Sequence, residues 1–288
     1  MPELPEVEIT ARRLSAALEG AEVESALAPA VATLKTFDPP LDALEGARVL
    51  GVRRIGKMLA TDFETTRGDA LTLLVHLMSA GRMQLFDKRA SMKDRRSRVL
   101  VRIAGEEDRE LRLREFGTRQ SAWAKLYPTG DVDADEMVAT LGPDAWPAPD
   151  AEKLGDLLDQ PGFLHPQLRK QRTIAGIGRS WVDEILWEAK LSPFKKGSEL
   201  APSELGRLHE ALGVLGGAID HYEEVVGEQV PDKMPMPLKV HRREGEPCPR
   251  CGTTIEAVFY SQHQMNYCPG EQTEGKVLKD RRLSRLLK

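Results

Sequence analysis

The apolar positions of this chain follow a helical period, then a strand period, then a helical period again. Between residues 5 and 18, Val7, Ala11, Leu14 and Leu18 share one helical face, with Pro5 in the first turn and Gly20 just past the end. That spacing predicts an amphipathic helix. From about residue 21 to 127 the pattern shortens into β-like runs at 48–53, 58–63, 71–77, 82–86, 99–103, 110–114 and 122–127. Glycines and charged turns separate these runs, which suggests an antiparallel sandwich. Residues 129–153 are rich in Pro, Gly, Asp and Ala and read as a linker with one short helix. Residues 154–226 return to helical spacing. The clearest helix covers 202–225, with Leu205, Leu208, Leu212, Leu215 and Ile219 three or four apart.

These periods predict a multi-domain α+β chain. A β-sandwich domain with its leading helix would occupy 1–130, a linker 131–153 and a helical domain 154–237. A cysteine-bearing hairpin and basic tail would fill 238–288. At 288 residues the chain is long enough for such a division. Hydrophobic content of 41% and charged content of 30% are those of a soluble protein. No apolar run approaches the ~20 residues that span a bilayer. The first twenty residues carry acids and no signal-peptide core, so the expected location is the cytoplasm.

The net charge of −4 counts against a simple nucleic-acid binder. Its distribution matters more than its sum. From Lys239 onward there are ten Lys/Arg against six Asp/Glu, a local +4, which leaves −8 for the rest. A basic face can bind phosphate while acids crowd another surface. The three cysteines, Cys248, Cys251 and Cys268, sit in one segment. An odd, clustered set argues for a metal rather than disulfides.

The most informative chemistry is at the start, Met1-Pro2-Glu3-Leu4-Pro5-Glu6-Val7-Glu8. If Met1 is removed, Pro2 becomes a secondary amine with a pKa of ~8, against ~10 for lysine. Part of it is unprotonated at neutral pH and able to attack an aldehyde carbon. Glu3 is adjacent and able to exchange a proton with whatever Pro2 attacks. The alternative is a frayed, exposed terminus. A second feature is Gln171-Arg172-Thr173-Ile174-Ala175-Gly176-Ile177-Gly178-Arg179-Ser180-Trp181, a glycine-rich turn that opens a helix. Unpaired N–H groups and the dipole at such a helix start suit a phosphate, while a plain helix-to-helix turn is the alternative. A third is the basic turn Arg54-Ile55-Gly56-Lys57 between two strand runs. The tail from Gly275 to Lys288 is basic and amphipathic. It reads either as a solvated helix packed by its leucines or as a phosphate contact.

The octet, the glycine turn with Asp183-Glu184-Ile185-Leu186-Trp187 behind it, and the cysteine segment together resemble the Fpg/Nei family. These are the formamidopyrimidine-DNA glycosylases and endonucleases VIII. The resemblance runs over nearly the full length, with the motifs in family order. It implies an N-terminal antiparallel β-sandwich with a leading helix, then a helix–two-turns–helix domain and a zinc-finger-like β-hairpin. It implies a bifunctional DNA glycosylase/AP lyase working as a monomer on damaged double-stranded DNA, away from membranes. Pro2 would be the nucleophile, Glu3 the proton donor, Glu6 the group orienting the terminus and Lys57 the phosphate holder. His76 and Met78 would lie at the histidine-bearing strand end. Arg114 and Phe116 would fill the space left by the extruded base. Gly178, Arg179 and His263 would meet DNA.

The chain departs from the family at several places. Arg179 stands for an asparagine, His263 for an arginine, Glu115 for an arginine and His165 for a lysine beside the lesion. Ser79 holds the place of a methionine, with Met78 one residue early. The family finger is C-x2-C-x16-C-x2-C, and Glu271 stands where the fourth cysteine belongs. Three readings remain for a single zinc. It is held by Cys248, Cys251, Cys268 and Glu271; it is completed by water or a histidine; or the hairpin is metal-free. The segment 34–41 and the tail ending Asp280-Arg281-Arg282-Leu283-Ser284-Arg285-Leu286-Leu287-Lys288 resemble a divergent, actinobacterial-type branch. A non-catalytic binder of damaged or distorted DNA on the same scaffold is the competing reading. The lesion itself, whether oxidised purine, oxidised pyrimidine, crosslink or bulky adduct, is open.

Overall fold

The computed structural model describes residues 1–91, 93–105, 108–117, 120–260 and 263–279. The chain opens with helix α1 (Leu4–Leu18), followed by eight strands. These are β1 (Val23–Leu27), β2 (Arg48–Ile55), β3 (Met58–Glu64), β4 (Ala70–His76), β5 (Gly81–Phe86), β6 (Ser97–Ile103), β7 (Glu110–Glu115) and β8 (Trp123–Pro128). The helices α2 (Ala151–Leu158), α3 (Leu164–Leu168), α4 (Arg179–Glu188), α5 (Pro202–Ala211) and α6 (Gly213–Val225) come next. A hairpin of β9 (Glu256–Tyr260) and β10 (His263–Tyr267) then leads to the short helix α7 (Pro269–Gln272).

The chain forms two compact units, and the division is not linear. The first holds residues 1–140 and 219–235; the second holds 141–218 and 236–288. Helix α6 crosses the boundary, so the segment after it belongs to the sandwich unit. In that unit the strands form two antiparallel sheets, ordered β1-β6-β7-β5 and β2-β3-β4-β8. Every second residue enters one core: Leu71, Leu73 and Val75 from β4, Val99, Val101 and Ile103 from β6, Leu111 and Leu113 from β7. This period of two is the strand signature seen in the sequence. Val7, Ala11, Leu14 and Leu18 of α1 close the same core. The strand that the sequence pattern passed over is β1, whose burial fades toward its end.

In the second unit α4 is the hub. Trp181, Val182, Asp183, Glu184, Ile185, Leu186 and Trp187 are all buried. A helix buried on all sides must find partners for its acids. Asp183 accepts from His241 Nδ1 at 2.7 Å and from the Asn266 amide at 3.1 Å, with His165 Nε2 at 3.1 Å. Glu184 accepts three consecutive amides, Lys239, Val240 and His241, at 2.9, 2.9 and 2.8 Å. Burial pushes the Glu184 carboxyl up and outweighs those three donors. The two acids thus fasten the strand-like stretch before the hairpin to the helix. The helix expected over 202–225 is broken at Leu212, ahead of Gly213, Gly216 and Gly217. Gly216 is required there, since a Cβ would stand 2.4 Å from the Trp146 ring. No helix among the described residues is long and apolar enough to cross a membrane. Residues 280–288 of the basic tail lie outside the described residues. Just before them, the Leu278 amide donates to the Tyr267 hydroxyl at 2.7 Å.

Replacing Glu184 with Ala strands the two buried amides of Val240 and His241 and the partly buried one of Lys239, a buried amide costing roughly 1–3 kcal/mol when unsatisfied. Urea denaturation of Glu184→Ala should show a loss of about 3 kcal/mol or more. The amides of residues 239–241 should exchange faster in hydrogen-exchange measurements.

Candidate active site and nucleic-acid-binding elements

Pro2 lies half-buried immediately before α1. Glu3 and Glu6 are buried at 2% and 3% exposure, although both are acids. A carboxylate is placed in such an environment only if hydrogen bonds replace its water. Glu6 Oε2 accepts the Glu3 amide at 2.9 Å, and Glu6 Oε1 accepts the Tyr222 hydroxyl at 2.7 Å. The N-terminal peptide is therefore held, not frayed. Burial and the neighbouring Glu6 and Glu3 push the Tyr222 phenol strongly upward, so it acts as a donor only.

Lys57 is buried and sits in the two-residue turn joining β2 to β3. Gly56 takes φ 56° as the first turn residue, a position that suits glycine. Arg54 fixes this turn to α1: its Nε meets Glu8 at 3.0 Å and its Nη1 donates to the Gly56 carbonyl at 3.0 Å. Across the β3–β4 ladder, His76 pairs with Met58, the residue after Lys57. The His76 ring stacks on Trp123 with centroids 5.6 Å apart. Its Nδ1 accepts the Met78 amide at 2.9 Å, which leaves any ring proton on Nε2. Burial, then the Lys57 charge, lower the His76 imidazole to about 4. It is neutral at physiological pH.

Met78 occupies the left-handed region at φ 48°, which a non-glycine residue enters at a cost of ~1–2 kcal/mol. The β5–β7 ladder pairs Gly81 with Glu115, and the Phe116 amide donates to the Ala80 carbonyl at 3.1 Å. The turn carrying Met78 and the loop carrying Phe116 are thereby side by side. Arg114 lies over the rings of Phe86 and Phe116 and donates to Gln84 and Asp232 at 3.0 and 3.2 Å. Glu115 is buried and accepts the Ser121 and Ala122 amides, so it shapes the loop after Phe116.

In the second unit the glycine turn is stapled by Gln171. Its amide donates to the Arg169 and Ile177 carbonyls and accepts the Gly176 amide, which sits at φ 101°. Gly178 caps α4, and Arg179, its first residue, is exposed. Backbone N–H groups at that helix start are suited to an anion. The sulfurs of Cys248, Cys251 and Cys268 lie within 4.8 Å of one another, with Cys251 and Cys268 at 3.4 Å. That spacing fits three corners of a thiolate zinc site.

The formamidopyrimidine-DNA glycosylase N-terminal domain model matches residues 1–119, and the model of that family's H2TH domain matches 155–228. A formamidopyrimidine-DNA glycosylase of Lactiplantibacillus plantarum is 30% identical over 295 residues, 94% of this chain and 99% of that protein. This chain belongs to the formamidopyrimidine-DNA glycosylase family. An uncharacterised formamidopyrimidine-DNA glycosylase-like protein of Mycobacterium tuberculosis is 40% identical over 149 residues, 51% of this chain and 94% of that one. Among solved structures, MutM in complex with DNA containing carbocyclic 8-oxo-G superposes with a TM-score of 0.82 at 27% identity, over 94% of this chain and 100% of that one. A complex of Lactococcus lactis Fpg with abasic-site DNA gives 0.82 at 27% identity, over 94% and 99%.

Glu271 is not among the clustered cysteine ligands; its carboxylate meets Arg250 and Lys190, each at 3.3 Å. His165 is not presented to a ligand; it is 1% exposed and faces Asp183. His263 opens β10. Sequence reasoning passed over Tyr222, Arg82, Gln84 and Asp232. Tyr222 looked like one more apolar position of a helix, and only its distant partner distinguishes it.

Because the His76 imidazole is lowered by folding, it binds a proton in the unfolded chain first. Above pH ~6.5 neither state is protonated and His76 contributes nothing. As pH falls from ~6.5 toward the folded value of about 4, stability is lost at ~1.4 kcal/mol per pH unit. His76→Asn keeps an acceptor for Met78 without the titration. Its urea midpoint should fall less than that of the wild type between pH 7 and pH 4.5.

Proposed function

We propose that this protein is a bifunctional DNA glycosylase/AP lyase that acts, as a monomer in the cytoplasm, on a damaged base in duplex DNA. The observation that carries the reading is the pinned N-terminus: Pro2 ahead of a helix whose buried Glu6 carboxylate grips the next amide. With Met1 removed, the Pro2 nitrogen would attack the sugar C1′. The new N–C1′ bond forms as the glycosidic bond breaks, and the base departs with a proton. Glu3 would donate the proton at the sugar and shuttle protons afterwards. With that proton on O4′ the C1′–O4′ bond breaks, the ring opens and the Pro2 lone pair forms a cationic imine at C1′; the imine acidifies C2′–H, whose loss expels the 3′ phosphate by β-elimination. Hydrolysis of the imine would free Pro2.

Lys57 would hold a phosphate beside the reacting sugar. Met78, Arg114 and Phe116 would occupy the gap in the stack, with His76 behind them. Gly178 and Arg179, at the start of α4, would meet the backbone at a second point, and His263 would reach it from the hairpin. Cys248, Cys251 and Cys268 would hold a zinc ion that stabilises the hairpin fold rather than the chemistry. Since the carboxylate of Glu271 is engaged by two cations, the fourth zinc position falls to another donor. The chain is placed in a divergent, actinobacterial-type branch on the segment 34–41 and the tail ending at Lys288. One observation favours the competing reading, a binder without turnover: no cation is offered at position 165, where His165 is buried.

Borohydride trapping on abasic-site duplex separates the two. The wild type should form a covalent complex, and Pro2→Gly or a retained Met1 should abolish it. Glu3→Gln should lose base excision by ~10²–10⁴-fold while keeping more of its abasic-site cleavage. Trapping that survives in the Pro2→Gly protein would move the nucleophile to a lysine, and a wild type that binds without trapping would establish the binder.

For the metal, Glu271→Cys supplies a fourth thiolate. Metal analysis and melting with and without chelator should show the variant holding zinc more tightly than the wild type. Equal retention would make Glu271 or another side chain a full ligand, and zinc in neither protein would leave a metal-free hairpin.

A further inference from the structure

Tyr222 is fully buried, yet it carries a hydroxyl that a phenylalanine would not need. A buried hydroxyl requires a partner, and this one is a catalytic-site carboxylate 216 residues away in sequence. Both oxygens of Glu6 are thereby engaged, one by the Tyr222 hydroxyl and one by the Glu3 amide. We propose that Tyr222 is a positioning residue of the active site, acting through Glu6 to set the orientation of the Pro2–Glu3 peptide and to keep the Glu6 carboxylate ionised beside the nucleophile. The proposal rests on the N-terminal proline reading and deepens it.

The position of Tyr222 is itself secured. Arg13 of α1 donates to the Glu223 carbonyl at 2.9 Å and meets the Glu223 carboxylate at 2.6 Å. Further along, Gln84 donates to the Val230 carbonyl at 2.7 Å and Arg82 to the Asp232 carbonyl at 2.7 Å. The stretch from Tyr222 to Asp232 is thus tied to α1 and β5, and the hydroxyl has little freedom to leave Glu6. A fixed donor costs no reorganisation when charge develops at Pro2. Ionisable groups around Glu6 include Glu3, the residue capping α1, Arg82 on β5 and Tyr222 on α6, with Asp232 facing Arg82. Of these, Tyr222 donates a hydrogen bond directly to the carboxylate. Removing that donor makes the carboxylate easier to protonate. An anion near Pro2 favours the cationic imine, so its early protonation slows imine formation on the acid side.

The test compares wild type, Y222F, E6Q and Y222F/E6Q in single-turnover borohydride trapping on abasic-site duplex across pH, with DNA affinity measured by anisotropy. Y222F should keep its DNA affinity and trap about 10- to 100-fold more slowly, the factor for one hydrogen bond to a charged group. Its acid limb should move to higher pH. Adding Y222F to E6Q should leave the acid limb unmoved, because no ionisable carboxylate remains at position 6. A Y222F protein that melts like the wild type and traps with the same rate and acid limb overturns the proposal. So does an equal shift of the acid limb in the E6Q background, which marks a tyrosine acting elsewhere. If Y222F melts far below wild type, 3-fluorotyrosine at position 222 keeps the shape and strengthens the donor. The acid limb must then move to lower pH, and an unmoved limb overturns the role. A wild type that does not trap overturns the proline reading and this one with it, whereas a trapping wild type with an indifferent Y222F overturns this one alone.

Discussion

A carboxylate buried at the start of the first helix constrains the whole sandwich unit. Glu6 is nearly inaccessible to water, so the fold must bring hydrogen-bond donors to it. One donor is local, the amide of Glu3; the other, the Tyr222 hydroxyl, arrives from a helix that starts at Gly213. Tyr222 lies in the segment 219–235 that returns to the first unit. The same segment then supplies Asp232 to Arg114, so the return that completes the N-terminal site also orders the loop end of the sheet.

The second unit is governed by the same physics with different residues. Asp183 and Glu184 are consecutive, buried, and on a helix with no solvent-facing side to turn them to. Their partners are two histidines and a run of backbone amides on the stretch leading into the hairpin. The cysteine segment shares a small core with α4, made of Trp187, Val240, Cys248, Ile255 and Cys268, while the hairpin itself buries a second small group, Val258, Met265 and Tyr267. Its placement against α4 therefore depends on polar anchoring as much as on apolar area.

Charge segregation explains how a chain of net −4 carries the elements of a nucleic-acid enzyme. On the sandwich unit one surface cleft gathers Asp38, Asp42, Glu45, Asp69, Asp131 and Glu136, so much of the acidic excess is localised. Elsewhere acids are neutralised in place: Glu8 by Arg54, Glu110 by Arg102 and Arg112, Glu271 by Arg250 and Lys190. What remains toward a phosphate is set by position, not by the sum.

The sequence by itself determined the elements whose physics is local. Seven strands were legible because alternate residues face one core, and α1 because four apolar residues repeat at its period. The Pro2-Glu3 start and the glycine turn stood out because residue types at short spacing suggest particular chemistry or backbone conformation, and Lys57 through the family resemblance. Strand β1 was not, since its residues are only partly buried and show no clean alternation. The break at Leu212 was also hidden, as were the close approach of Trp146 to Gly216 and the ion pairs of Glu271, whose partners lie elsewhere along the chain. Tyr222 is the clearest case. Its sequence neighbourhood says helix, and nothing local marks its hydroxyl. Only a fold that buries Glu6 beside it decides that this oxygen meets the Glu6 carboxylate, because an unsatisfied carboxylate in a dry core would cost more than the chain's marginal stability tolerates.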